Sequence, residues 1–433
     1  MHKNIKNSCV NDFDPSALDE ITAIKQILKS ITTIKKTETI DIMDSLERVA
    51  AKNIKSSIHI PSFRNSAMDG YAININNLAK NKYNLKEQGV SLAGQPYDRK
   101  LKDKETIRVM TGAVIPNNAD AIVMKEMVDI EDNMVSFPNF IQKNQNIRDI
   151  GEDIKKGDIV IKKGRQINYV DLGILSSLGI GKIEVFKKPV VSFFSTGDEL
   201  ISINKKLKKG LIYDSNRYLL FGLLSRLPVQ IKDMGVVKDN EEILVKKLKE
   251  CAKASDIVIT TGGVSVGDAD YIKSALKKVG KVNFWKRAIK PGRPLAYGKI
   301  NNASFFGLPG NPVSAAVTFQ IFIIPAIRKM LQMTASSKLT IRARVKSVLS
   351  KKKGRIEYKR GLLEQKNGVN IVNTTGLQGS NILSSLSKAN CYIRLPSETE
   401  KIKKGDTVEV VPFNIDLYLW KIKITKILDL QKI

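Results

Sequence analysis

The run Asp256-Ile257-Val258-Ile259-Thr260 breaks into Thr261-Gly262-Gly263-Val264-Ser265-Val266-Gly267, and no other stretch constrains the fold as strongly. Two acids, Asp268 and Asp270, follow it and lead into a helix signal. Downstream lie Phe284-Trp285-Lys286, Ile289-Lys290-Pro291-Gly292-Arg293-Pro294 and Gly307-Leu308-Pro309-Gly310-Asn311-Pro312. A β-branched run that ends in a glycine-rich turn before a helix presents backbone N–H groups to an anion. Strand and helix signals alternate around it, which indicates a mostly parallel sheet. The expectation is an anion-handling enzyme site at the carboxyl edge of that sheet.

From Pro189 onward the pattern is α/β. Val190 to Phe194 reads as a buried strand ending at Ser195-Thr196-Gly197-Asp198-Glu199-Leu200. A helix over 215–226, a strand over 230–237 and a helix over 240–254 follow, then a helix over 269–279 beyond the glycine turn. Asn311-Pro312 opens a long apolar helix reaching Met330, with Pro at its first position. Turns after successive parallel strands gather at one edge, which brings Thr196–Glu199 near Gly262–Asp270. Upstream, Asp14-Pro15-Ser16 opens a helix, and a second helix is expected over 41–51. Both read as packing elements. Short apolar runs among Gly, Pro and Asn turns make 73–145 β-rich, and 339–412 reads as a compact β domain. Lys156-Gly157-Asp158 and Lys404-Gly405-Asp406 are ordinary turns before strands.

The candidate anion binders are Thr261, Gly262, Gly263, Ser265 and Gly267, with Lys286, Lys290 and Arg293 as neutralising cations. Candidate Mg²⁺ ligands are Glu199, Asp214, Asp268 and Asp270, since Mg²⁺ takes hard oxygens and joins one or two carboxylates to substrate phosphates. Asp198 caps a turn in this reading, and Asp268 competes with Asp270 as helix cap. A zinc site would want Cys or His. The histidines are His2 and His59, so Ser-His-Asp and Cys-His catalysis are disfavoured and His59 takes no catalytic role. Asp69, within Pro61-Ser62-Phe63-Arg64-Asn65-Ser66-Ala67-Met68-Asp69-Gly70-Tyr71-Ala72, reads on its own as a turn carboxylate.

Composition narrows the partners. A chain of 433 residues implies two to four domains. The net charge of +29 suits solvated lysine faces or an anionic partner. Aromatics are 6% and scattered, without the Arg-aromatic interleaving of nucleic-acid binders, so no nucleic acid is expected; solvated lysine faces are the favoured account of the charge, and a small anionic substrate fits it as well as nucleic acid would. The start lacks a secretory signal, and no apolar run approaches the ~20 residues of a spanning helix. Cys9, Cys251 and Cys391 show no ligand or redox spacing, and a reduced cytoplasm is the expected compartment, with no membrane partner.

Taken together and in order, several of these strings resemble the signature of the MoeA-type molybdopterin molybdenumtransferases. They are the Pro61–Ala72 segment, Arg108-Val109-Met110-Thr111-Gly112-Ala113, Gly151-Glu152-Asp153, Ser195–Leu200, Gly262–Gly267, Phe284–Lys286, Ile289–Gly292 and Gly307–Pro312. The resemblance covers about residues 15 to 412. It implies insertion of molybdate into adenylyl-molybdopterin with Mg²⁺-dependent release of AMP. It also implies a homodimer whose site is shared between subunits, with a molybdopterin adenylyltransferase as a possible pathway partner. Functional positions of the family fall on Asp69, Asp153, Glu199, Asp214, Asp270, Lys286, Lys290, Arg360 and Ser380, with Pro309 and Asn311 on the substrate side. Asp69 is thereby expected to reach the cleft from the partner subunit.

The expected fold class is α/β plus β-rich domains: a central three-layer α/β/α domain with a mostly parallel sheet, an inserted β domain and a C-terminal β domain. Its parts are 14–57 with 146–187, the insert 58–145 carrying Asp69, the molybdopterin-binding domain 188–334, the β domain 335–412 and a tail 413–433. Departures from the family pattern are Asn381 where His is common and Arg293 where Lys is frequent. Two other readings share the α/β domain: adenylylation of molybdopterin, which needs neither the Asp69 segment nor a C-terminal β domain, and a non-enzymatic scaffold.

Overall fold

The computed structural model describes residues 17–263, 271–334 and 340–413. The chain forms two compact units, one comprising Met1–Glu38, Glu47–Val49 and Phe186–Ile433, the other Thr39–Leu46 and Ala50–Val185.

In the first unit, a six-stranded sheet runs in the order Gln230–Val237, Val190–Thr196, Ile257–Thr261, Ala303–Leu308, Pro294–Ile300, Lys281–Lys286. The first four strands are parallel; the last two join through antiparallel pairings, so that Pro294–Ile300 alone runs against the others. Successive side chains on a strand point to opposite faces, so neighbours such as Phe193 and Phe194, both fully buried, serve different layers. Phe194, Val258 and Phe305 pack with Leu244, Leu248, Ala275 and Leu276 of helices Glu241–Lys253 and Tyr271–Val279. Helix Ser215–Leu224 packs on strands Val190–Thr196 and Gln230–Val237 and against helix Pro312–Thr318, completing three layers. The strand after Val190–Thr196 lies on one side of it and the next, Ile257–Thr261, on the other. That reversal is the switch point at which open α/β sheets bind ligands.

Residues 341–412 close into a barrel: Ile356–Lys366, Val369–Thr374, Ile341–Val345, Thr407–Pro412 and Cys391–Leu395, the last pairing back onto the first. Ala343, Leu363, Val372, Ile393 and Val410 fill it. The short strand Ile289–Lys290 adds in parallel to its edge, with Lys290 opposite Glu357. Burial pushes the free thiols of Cys251 and Cys391 up to about 11 and about 12, so both behave as packing groups.

The second unit holds a six-stranded sheet in the order Ala121–Met124, Gly70–Ile73, Glu105–Val109, Asn84–Ser91, Met134–Ser136, Asp129–Glu131. Alternation along Gly70–Ile73 sends Tyr71 and Ile73 to one core and Ala72 to another. His59 is a structural acceptor there, its Nδ1 taking a hydrogen bond from Lys156 N at 3.2 Å.

Three local expectations are corrected. The first helix is Glu20–Ser30, capped by Asp19 through Thr22 N; the expected cap, Asp14, lies outside the described residues. The helix expected over 41–51 is only a 3₁₀ turn, Ile42–Ser45. Asp41 caps it, and Glu47 leaves it with φ +63. Ala50 then gives its N–H to Arg165 O rather than to a helical turn. The helix from Pro312 is interrupted by a π turn at Phe319–Ile323 before resuming over Ile324–Met330. By length and hydropathy it would suit a bilayer. Its apolar character is that of a core helix, since Val313, Ala315, Val317, Phe319 and Phe322 are buried inside the unit. The tail 414–433 lies outside the described residues.

Candidate active site

A cleft of about 820 Å³ opens at the switch point. Its floor is the Thr196–Gly197 turn and Gly262–Gly263, and one wall is the loop Lys290–Pro294. The far side is built from Pro309–Asn311 and from barrel residues Arg355, Glu357, Arg360 and Gln378–Ser380. Glycine is required at the floor. Gly262 holds φ +88, and a Cβ there would lie 2.4 Å from the carbonyl oxygen of Thr196. We expect Gly262→Ala to lower the melting temperature by several degrees and to impair turnover, because it carries both backbone strain and a backbone clash at the switch point. A thermal melt with wild-type midpoint would contradict that account.

The cations come from a loop tied to the barrel. Lys290 Nζ lies 3.5 Å from Glu357 Oε1, and Lys359 Nζ contacts the same oxygen at 3.1 Å. Glu357 is nearly buried, whereas the Lys290 side chain is half exposed to the cleft. Arg360 is 1% exposed. Its Nε donates to Ser385 Oγ at 3.0 Å and its Nη2 to the carbonyls of Leu377 and Gly379 at 3.3 and 2.9 Å. The loop that presents Gln378 and Ser380 is therefore wrapped around a buried guanidinium. Ser380 O also accepts from Val313 N at 3.1 Å, and Asn216 Nδ2 donates to Gly310 O at 2.6 Å. These two bonds fix the Pro309–Asn311 turn against both neighbours.

Acids line the cleft as well. Glu199 lines the cleft, and so does Asp239, which the sequence reading did not single out. Asp198 Oδ1 accepts from Asp239 N at 3.2 Å, which brings three carboxylates into one neighbourhood. Burial and then the charges of Asp198 and Glu199 raise the Asp239 carboxyl above its ordinary value. The sign follows directly. A carboxyl that holds its proton more tightly when folded destabilises the folded state once pH rises through its raised pKa, and contributes nothing below the unfolded value. Asp239→Asn is therefore expected to melt higher than wild type at pH 7, with the difference vanishing toward pH 3, as thermal melts at both pH values would show. A lower melting temperature at pH 7 would overturn this. The sequence signal was faint: Lys238-Asp239-Asn240 looks like a helix cap, and only the strand order carries it to the switch point.

Other expected site residues fall elsewhere. Asp214 caps helix Ser215–Leu224 by accepting from Arg217 N at 3.1 Å, is 3% exposed and does not line the cleft. Thr261 is buried, its hydroxyl donating to Ser195 Oγ at 3.0 Å within the sheet. Lys286 ends strand Lys281–Lys286 outside the cleft lining. Arg293, Pro309 and Asn311 do line it. Asp69 belongs to the second unit, where Thr111 N and Oγ1 both donate to its Oδ1 at 2.8 Å and hold its carboxyl below the ordinary value. Asp153 is exposed in that unit. Ser265, Gly267, Asp268 and Asp270 lie outside the described residues.

A switch-point cleft with a glycine floor, a cationic loop and acids in its lining defines an α/β enzyme acting on an anionic substrate, walled by a β barrel. Comparisons with known proteins make the class specific. Residues 19–179 match the MoeA N-terminal region (domains I and II), 192–329 the probable molybdopterin binding domain and 342–413 the MoeA C-terminal region (domain IV). The chain is 42% identical to a molybdopterin molybdenumtransferase of Haemophilus influenzae, across 90% of this chain and 98% of that one. It is 33% identical to one of Staphylococcus aureus strain COL, across 86% and 90%. The molybdopterin biosynthesis moeA protein of Pyrococcus horikoshii superposes with a TM-score of 0.80 at 29% identity, covering 92% of this chain and all of that one. The chain belongs to the MoeA family of molybdenum cofactor biosynthesis.

Proposed function

We propose that this chain is a molybdopterin molybdenumtransferase that inserts molybdate into adenylyl-molybdopterin and releases AMP. The observation that carries the reading is a single cleft lined by charges of both signs, Lys290 and Arg293 together with Glu199 and Asp239. A site for a bare anion would gain nothing from two acids. A site for a phosphate anion bridged by a divalent cation needs both.

Mg²⁺ fits the donor chemistry. Burial, and then the charges of Asp198 and Glu199, raise the Asp239 carboxyl, and among the described residues neither Asp239 nor Glu199 has an ion-pair partner. Glu199 and Asp239 would hold the ion; Asp268 and Asp270, which the sequence also offers, lie outside the described residues. When bound, the ion would polarise the phosphate linkage between pterin and AMP. The backbone of Gly262 and Gly263 leaves room for the phosphate to approach the sheet edge. Lys290, held by Glu357, stabilises anionic oxygens of the phosphate and of molybdate. The Gln378–Ser380 loop closes the barrel side and orients the substrate. The reading further includes a cytoplasmic homodimer in which Asp69 of one subunit approaches the cleft of the other.

The test is AMP release from adenylyl-molybdopterin by the purified protein. Release is expected only with molybdate and a divalent cation together. Equal release without molybdate would contradict insertion chemistry, and no release in any condition would favour a binding role.

A further inference from the structure

We infer that Arg287 is a positioning residue of the cleft, its buried guanidinium stapling the Lys290–Pro294 loop to the helix Pro312–Thr318. The side chain is fully buried, and among the described residues no carboxylate forms an ion pair with it. Nη2 makes all of its side-chain hydrogen bonds: it donates to Gly292 O, to Pro294 O at 3.0 Å and to Thr318 Oγ1 at 3.1 Å. The backbone N–H adds a bond to Arg293 O at 2.9 Å. Two of the three side-chain acceptors thus belong to the cationic wall of the cleft, and the third to the helix behind it.

The energetics say why this matters. Nε and Nη1 are buried without partners, and burial lowers the guanidinium pKa to about 9 despite the charge of Glu20. A buried charge without a counterion is costly, and an apolar side chain of similar length would serve the core at least as well. Phe322, from the π turn, offsets part of the cost, its ring centre 4.5 Å from the guanidinium carbon. What the guanidinium supplies that a methionine could not is geometry. Gly292 sits at φ +100, where a Cβ would come 2.7 Å from Thr318 Oγ1, so the loop is already seated on the hydroxyl that Arg287 grips. Release of that grip leaves the Gly292 and Pro294 carbonyls without the guanidinium and loosens the turn between Lys290, which stays paired to the barrel at Glu357, and Arg293.

The experiment compares wild type, Arg287→Met, Arg287→Lys and Thr318→Val by amide hydrogen exchange, thermal melting and steady-state kinetics with adenylyl-molybdopterin. The kinetic part rests on the function proposed above; the exchange part does not. Arg287→Met is expected to lower the melting temperature by no more than a few degrees, because relief of the uncompensated buried charge offsets the acceptors it strands, with exchange over residues 288–294 about tenfold faster and unchanged elsewhere. Its KM is expected to rise about tenfold while kcat falls less than about threefold, and Arg287→Lys should recover much of the KM. Thr318→Val, which keeps shape but loses the acceptor, should shift loop exchange in the same direction by about threefold and decides the matter if Arg287→Met does not fold. Unchanged loop exchange in a folded variant would overturn the proposal. So would faster exchange spread through the sheet with a lowered melting temperature, which marks a merely structural residue. Absence of turnover in the wild type would defeat the functional reading alone, and exchange would still decide the role of Arg287.

Discussion

Changing Arg360 to methionine is expected to lose about 3 kcal/mol of stability and to reduce turnover by at least about a hundredfold. The side chain is 1% exposed and its donors satisfy Ser385 Oγ and the carbonyls of Leu377 and Gly379. Each acceptor left buried without a donor costs on the order of 1–3 kcal/mol, and methionine fills the volume without replacing any of them. The loss does not stay in the barrel. Gln378 Oε1 accepts from Arg360 N at 2.8 Å, and Thr375 N donates to Arg360 O at 3.1 Å, so the whole turn is ordered around this residue. Ser380, at its end, is bonded to the helix at Val313. A loosened turn therefore disturbs the barrel wall and the Pro309–Asn311 turn together. Guanidinium chloride unfolding and the AMP-release assay on one preparation check both halves. A variant with wild-type midpoint and rate would show that Arg360 is not what orders the wall.

Lys290→Ala is expected to behave in the opposite way, with turnover reduced by about a hundred- to a thousandfold and stability changed by less than about 0.5 kcal/mol. The structure explains the spared stability. Lys290 is half exposed, and Glu357, its partner, keeps Lys359 at 3.1 Å after the change, so no buried carboxylate is stranded. The lost activity follows from where the ammonium stands. Pairing of Ile289–Lys290 with Ile356–Glu357 sets the backbone beside the barrel, and Lys290 lines the same cleft as Glu199 and Asp239. Chemical denaturation with kcat/KM measured for the variant decides it, and a wild-type rate would remove Lys290 from the mechanism.

Much of the α/β unit was legible because its signals are local. Ile257–Thr261 is a run of β-branched residues, all buried, and its glycine turn falls at the end of the strand as expected. Val190–Thr196, Gln230–Val237 and Glu241–Lys253 lie within a residue or two of their expected limits. The helix expected over 41–51 failed for a reason that is not local. Its backbone finds partners such as Arg165 O far along the chain, and these outweigh a modest helical preference. Arg287 was passed over because an arginine between Lys286 and Ala288 reads as one more surface cation in a chain rich in them.

The sequence by itself determined the succession of strands, glycine turns and caps, and with it the family and the chemistry of an anion site. Those features answer to backbone conformation and side-chain type, which neighbours a few residues apart decide. Only the tertiary structure decided which charges share the cleft. Asp214 and Asp239 are both acids beside helix starts in the sequence, yet Asp214 is buried with one oxygen capping its helix, while Asp239 lines the cleft. The difference arises from the strand-order reversal at Val190–Thr196 and from the barrel edge that accepts Ile289–Lys290. Both are long-range pairings, and no local pattern encodes them.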